Sequence, residues 1–155
     1  MKERTCCFTG HREIEAEDAL TIEKKTEAAV REKIAAGYRF FGVGGALGFD
    51  TVAAQVVLAL KAEFPEVALI MVLPCRDQTK YWKKADVAVY EDILSRADKC
   101  VYTSESYFRG CMQKRNRYLV DNSSACIAYL RHDTGGTAYT VRYARAQGVA
   151  VKNIE

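Results

Sequence analysis

The segment Gly44-Gly45-Ala46-Leu47-Gly48-Phe49-Asp50 sets three glycines and a carboxylate between two apolar runs. Tyr38 to Val43, before it, is aromatic enough for a buried strand, and Thr51 to Lys61, after it, is rich in Ala, Val and Leu. A glycine turn between strand and helix lets backbone N–H groups approach a ligand and point at an anion. The expected ligand is a phosphate-bearing small molecule, a nucleotide first of all, with Gly44, Gly45 and Gly48 in close backbone contact. Asp50 has two readings that one carboxylate can combine. It is a helix N-cap, contributing ~1 kcal/mol, or an acceptor for ribose hydroxyls. The loop is not a dinucleotide fingerprint, because Leu47 stands where G-x-G-x-x-G read from Gly42 needs glycine. It also lacks G-K-[ST], which disfavours a Walker-type NTPase.

Three further segments carry candidate chemistry. In Thr9-Gly10-His11-Arg12, Gly10 permits a tight turn, and His11 and Arg12 can meet a phosphate or a sugar hydroxyl. His11 is also the acid–base candidate, since its imidazole titrates near neutrality. Met112-Gln113-Lys114-Arg115-Asn116-Arg117 gathers positive charge at a helix start, where it opposes the macrodipole and a bound anion would relieve the cost. Arg115 and Asn116 are assigned to the ligand, Lys114 and Arg117 to solvent. Gly135-Gly136-Thr137 supplies two glycines and a hydroxyl at another helix start, an anion-binding turn.

These segments need elements to hold them. The first strand is read at Thr5 to Phe8, followed by a helix from Asp18 to Ala36. Ala19, Ile22, Ala29, Val30 and Ile34 share one face of that helix, and Gly37 closes it. Further strands are read at 39–43, 67–73, 99–103, 125–130 and 149–151. Further helices are read at 50–63, 84–95, 112–121 and 135–147. Strands apolar throughout, alternating with helices, predict a three-layer Rossmann-like α/β domain spanning 1–155, with a mainly parallel sheet covered on both faces. Right-handed crossovers then bring the loops at Gly10, Gly44, Pro74, Ser104 and Gly135 to one edge, where ligands bind in such sheets.

In this order, F-T-G-H-R, G-G-A-L-G-F-D, M-Q-K-R-N-R and a late G-G-T resemble the YpsA-like family. It lies in the SLOG superfamily, which includes the DNA-processing protein DprA and the Lonely Guy cytokinin-activating enzymes. The resemblance runs from Thr5 to about Ala146. It implies a nucleotide-type ligand between the Gly44–Asp50 and Gly135–Thr137 loops. The expected function is binding of a nucleoside monophosphate or ADP-ribose-type molecule in a sensing or regulatory role. The superfamily's phosphoribohydrolases resemble P-G-G-x-G-T-x-x-E, with the Glu assisting glycosidic cleavage. Here Thr140 holds the Glu position and the preceding Pro is absent. Hydrolysis therefore needs a substitute carboxylate, with Asp77, Glu105 and Asp121 as candidates. A DprA-like role implies single-stranded nucleic acid on a basic, aromatic track such as Arg76 to Lys84 or Tyr107 to Lys114.

Composition narrows the classes. The chain has 155 residues, 49% hydrophobic and 28% charged, enough for a packed core. A net charge of +3 is too small to mark a general nucleic-acid binder. No run of 18 apolar residues and no signal-like segment at Met1 occurs, so the expectation is a cytoplasmic chain with no membrane partner. The six cysteines form no C-x-x-C and no His stands at ligand spacing, so no metal is expected. Cys6, Cys7, Cys100 and Cys126 fall in strand-like runs, whereas Cys75 and Cys111 are assigned to loops as the candidates for reactivity. An apolar edge near Val149 to Val151 would permit a homodimer.

Overall fold

The computed structural model describes residues 1–155. One six-stranded, wholly parallel sheet runs through it, in the order β4-β3-β2-β1-β5-β6. The strands are β1 (Thr5–Gly10), β2 (Phe40–Val43), β3 (Ala68–Leu73), β4 (Lys99–Tyr102), β5 (Ala125–Tyr129) and β6 (Ala150–Asn153). The helices are α1 (Ala19–Ala35), α2 (Phe49–Leu60), α3 (Lys84–Arg96), α4 (Cys111–Asp121) and α5 (Gly136–Ala146). This is the expected three-layer Rossmann-like α/β fold.

The strands alternate their side chains between two cores, as a period of two requires. Cys6, Phe8, Leu69 and Met71 enter a large core with α1, α2 and Ile93 of α3. Cys7, Val72 and Cys126 enter a smaller one beneath α4 and α5, with Leu119, Val120 and Ala144. The α1 face toward the sheet is Ile22, Thr26, Ala29, Val30 and Ile34. Ala19 is exposed rather than on that face. Thr26 takes part because its hydroxyl donates to the Ile22 carbonyl at 2.7 Å, which satisfies it inside the core.

Two further expectations need correcting. Asp50 is not an N-cap: α2 begins one residue earlier, with Gly48 in the cap position at φ +77°. The Asp50 carboxylate instead accepts the Ala46 backbone N–H at 3.1 Å, tying the glycine loop to the helix. Cys75 and Cys111, read as loop thiols, are both fully buried, while Cys100 is the exposed one. Cys100 lies on β4, and an edge strand has one flank without a neighbour to cover it. The other edge is β6, where Lys152 and Asn153 are exposed.

The strand order reverses beside β1: the chain runs outward through β2, β3 and β4, then returns to place β5 on the other flank of β1. A doubly wound sheet opens a crevice at such a switch point, outside the carboxyl ends of the two strands. Gly10-His11-Arg12 leave β1 there, and Gly135-Gly136-Thr137 follow β5. No helix is long and apolar enough to cross a membrane.

Candidate functional site

A crevice of about 300 Å³ opens at the switch point. Gly10, His11, Arg12, Asp50, Arg115, Asn116, Gly136 and Thr137 line it, all foreseen from the sequence. Phe8, Thr9, Ala46 and Met112 complete the wall, and no spacing rule pointed to them. Each adjoins a foreseen motif, which is the signal that could have found them.

The floor is Arg115. Its side chain comes from α4, which starts after Gly110 in the left-handed conformation at φ +98°. Arg115 is 4% exposed, and no carboxylate pairs with it. Nη1 donates to the Gly44 carbonyl, Nε donates to Asn116 Oδ1 at 2.7 Å, and Nη2 lies 3.8 Å from the Met112 sulfur. Burial lowers its pKa, with Asp50 acting in the opposite sense. A guanidinium nonetheless stays charged at any physiological pH. Asp50 is 7% exposed, and its pKa is raised by burial against the pull of Arg115, the Ala46 N–H and Arg12. Arg12 adds a second cation that makes no ion pair.

The first turn of α5 lines the same crevice as Arg115. Gly135 precedes it at φ +93°, and no side chain caps it. Its leading N–H groups and the positive end of its dipole therefore face the crevice without a protein acceptor. Gly136 and Thr137 line the cavity, while Gly135 lies behind them.

Gly44, Gly45 and Gly48 do not line the crevice. Each is small because another part of the protein fills its side-chain space. A Cβ on Gly44 would meet Arg115 Nη1 at 2.6 Å, one on Gly45 would meet Leu73, and one on Gly48 would strike the Arg12 carbonyl. Two of the segment's amides are also engaged: Ala46 N–H binds Asp50, and Phe49 N–H donates to the His11 carbonyl at 3.0 Å. The glycine loop is a frame for Arg115 and Arg12, and the open helix start belongs to α5.

His11 lines the crevice with one nitrogen occupied. The Arg131 backbone N–H donates to Nε2 at 2.8 Å, so the neutral ring carries its proton on Nδ1. Burial lowers its pKa, and the neighbouring His132 and Arg131 charges lower it further. This disfavours the imidazolium, and the neutral ring has no free lone pair for taking a proton. Thr140 donates to the Gly136 carbonyl at 2.8 Å, a helix back-bond at the position of the missing carboxylate. Asp121 accepts the Tyr143 hydroxyl at 2.7 Å at the far end of α4, and Glu105 pairs with Arg76 at 2.8 Å. Neither reaches the crevice. Lys114 and Arg117, assigned to solvent, bond Ser104 Oγ and the Tyr139 hydroxyl respectively.

A second bay, about 610 Å³, adjoins the crevice, and Arg12 and Met112 line both. It is walled by the loop after β3, with Asp77, Gln78, Tyr81 and Trp82, and by Tyr107. A smaller concavity of about 180 Å³ lies at the opposite, amino-terminal ends of the strands, among Phe40, Ile70 and Val101. Its walls are largely apolar, with Lys2, Lys99 and Asn122 among the polar groups. No group of three or more His, Cys, Asp or Glu side chains is placed to hold a metal ion.

The sequence profile of the YspA SLOG family matches residues 6–153. The SPbeta prophage-derived protein YoqJ of Bacillus subtilis is 31% identical over 140 residues, covering 81% of each chain. The UPF0398 protein BH1768 of Halalkalibacterium halodurans is 31% identical over 118 residues, covering 75% of this chain and 62% of its own. Among solved structures, DNA processing protein A of Helicobacter pylori superimposes with a TM-score of 0.69 at 20% identity, over 97% of this chain and 64% of its own. That structure is described for its single-stranded DNA binding mode. The DprA of Streptococcus pneumoniae gives the same TM-score at 19% identity, over 97% of this chain and 50% of its own. At these identities the likeness is one of fold.

Proposed function

The chain belongs to the YspA SLOG family, and from that premise we propose that its crevice binds a nucleotide or nucleotide-derived ligand by its phosphorylated ribose. A nucleoside monophosphate or an ADP-ribose-type molecule fits this description, and the role is sensing or regulatory. The carrying observation is Arg115, a buried cation with no carboxylate partner on the floor of a crevice. A buried charge is costly; Asp50 offsets part of that cost through space without an ion pair, and a phosphate between Arg115 and the α5 N-terminus would offset more. Arg12 adds charge at the rim. Asn116 and Asp50 are placed to take sugar hydroxyls, and His11 offers its Nδ1–H as a donor.

Binding without turnover is supported by the chemistry the site lacks. His11 spends its lone pair on Arg131, and Thr140 supplies no carboxylate. Asp50 is the one carboxylate in the crevice, and it is held by the Ala46 N–H. For an N-glycosidic phosphoribohydrolase, it is Asp50 that would assist departure of the base.

The test is calorimetric titration with AMP, ADP-ribose, NAD and a short single-stranded DNA, wild type beside Arg115→Met. Each mixture is then chromatographed for released base. Charge-assisted hydrogen bonds contribute about 1.5–3 kcal/mol each, so the variant should bind roughly tenfold to a hundredfold more weakly. Base release would replace the sensor by a hydrolase. Equal affinity of the two proteins would refute the assignment of Arg115.

A second reading, single-stranded nucleic acid, draws on the exposed aromatics Tyr81, Tyr107 and Phe108 beside Lys80, Lys83 and Arg109. It predicts that DNA alone binds, with steep weakening as salt rises.

A further inference from the structure

One side chain of the outer bay is incomplete. Gln78 is 9% exposed, and its Nε2 donates to the Tyr90 hydroxyl at 3.3 Å. Its Oε1 has no hydrogen-bond partner, the single buried side-chain nitrogen or oxygen in the molecule so left. A buried acceptor without a donor is a destabilising feature that folding alone does not call for. An apolar side chain of the same length would fill the space without that cost.

We propose that the bay holds the nucleobase, preferentially a purine, of the ligand whose phosphate lies on Arg115, and that the Gln78 amide pairs with the edge of that base. The proposal rests on the phosphate reading of the crevice. The bay adjoins that crevice, with Arg12 and Met112 lining both, so one ligand reaching past these side chains can occupy the two. Beside Oε1, Nε2 keeps a second N–H that Tyr90 does not use. An adjacent acceptor and donor complement the edge of adenine, where an amino group neighbours a ring nitrogen, and equally the N1–H and O6 of guanine.

The walls suit a flat ring. Trp82 packs edge-on against Tyr90, centroids 5.3 Å apart at 81°, and Tyr90 in turn holds Gln78. Tyr107 is positioned through its backbone N–H, which donates to Asp77 Oδ1 at 3.1 Å. Aromatic faces bind bases by stacking, and a purine offers the larger face. Oε1 carries essentially no exposed surface of its own, so the pairing requires the Gln78 side chain to shift toward the bay and give up its Tyr90 contact.

Trp82 is the only tryptophan, so its fluorescence reports on the bay directly. The experiment titrates ribose 5-phosphate, AMP, GMP and UMP into wild type, Gln78→Met and Arg115→Met, by fluorescence and calorimetry. AMP and GMP should quench Trp82 and bind wild type roughly tenfold more tightly than ribose 5-phosphate, with UMP between them. Gln78→Met should weaken AMP several-fold, part of the way to the affinity of ribose 5-phosphate, and leave ribose 5-phosphate itself unchanged. Tyr107→Leu, at a side chain 63% exposed, should weaken AMP selectively without disturbing the core. It decides the matter if Gln78→Met does not fold. AMP and ribose 5-phosphate binding wild type alike would overturn the base pocket and spare the phosphate site. AMP bound equally by wild type and Arg115→Met, but weakened in Gln78→Met, would keep the base pocket and overturn the phosphate site. Failure of all four compounds to bind wild type would overturn both.

Discussion

The guanidinium of Arg115 occupies the space that a side chain on residue 44 would need. Nη1 donates to the Gly44 carbonyl, and a Cβ there would lie 2.6 Å from Nη1 and 2.8 Å from Cζ. Glycine at this position thus sets the depth and aim of the cation from α4. Gly44→Ala should push the guanidinium out of place and weaken AMP binding about tenfold or more, at a stability cost of about 1–3 kcal/mol typical of overpacking. Calorimetry and thermal melting would check both. AMP affinity equal to wild type would mean that the aim of Arg115 does not depend on Gly44.

Gly48 and Gly148 share a positive φ, +77° and +78°, but Gly48 combines it with ψ −121°, outside the left-handed helical region, and the two differ in surroundings. At Gly148 nothing lies near an added Cβ, so Gly148→Ala should show the conformational penalty alone, about 1–2 kcal/mol. At Gly48 the Cβ would run into the Arg12 main chain, which cannot yield as a flexible side chain can. Melting temperatures should fall by about 3 °C for Gly148→Ala and by more than about 8 °C for Gly48→Ala. Equal losses would show that neither the Arg12 contact nor the ψ of Gly48 adds a penalty.

Stability should depend on pH through His11. An unfolded histidine titrates near pH 6.5. In the folded protein burial, with His132 and Arg131, holds the value lower. Between those two values the unfolded chain binds more protons, so stability falls as pH falls below about 6.5. His11→Gln keeps an acceptor for the Arg131 N–H and removes the titration. Its melting temperature should change less than that of wild type between about pH 7.5 and pH 5. An unchanged slope would assign the acid sensitivity to other groups.

Thiol reactivity should be confined to one of six cysteines. Cys100 is exposed, and the other five are buried. Partial burial raises the Cys100 pKa, so labelling by an aromatic disulfide should be slow at neutral pH and faster in mild alkali. Native protein should release one equivalent and denatured protein six. More than one fast equivalent in the native state would reveal opening around Cys75 or Cys111.

What the sequence by itself determined was the series of elements and the side of the sheet that carries the site. Strand and helix periods, glycine turns and the handedness of crossovers act over a few residues, so they are written locally. They were enough to locate Gly10, His11, Arg12, Asp50, Arg115, Asn116, Gly136 and Thr137 around one crevice. The tertiary structure alone decided what each group has left to offer a ligand. Gly44 and Arg115 lie 71 residues apart, and so do not reveal their contact in any window. The lone pair of His11 is consumed by Arg131, 120 residues away. Gln78 is notable only because its surroundings leave Oε1 unpaired. Motifs propose which groups meet, whereas long-range packing and hydrogen bonding determine which lone pairs, amides and charges remain free once they have met.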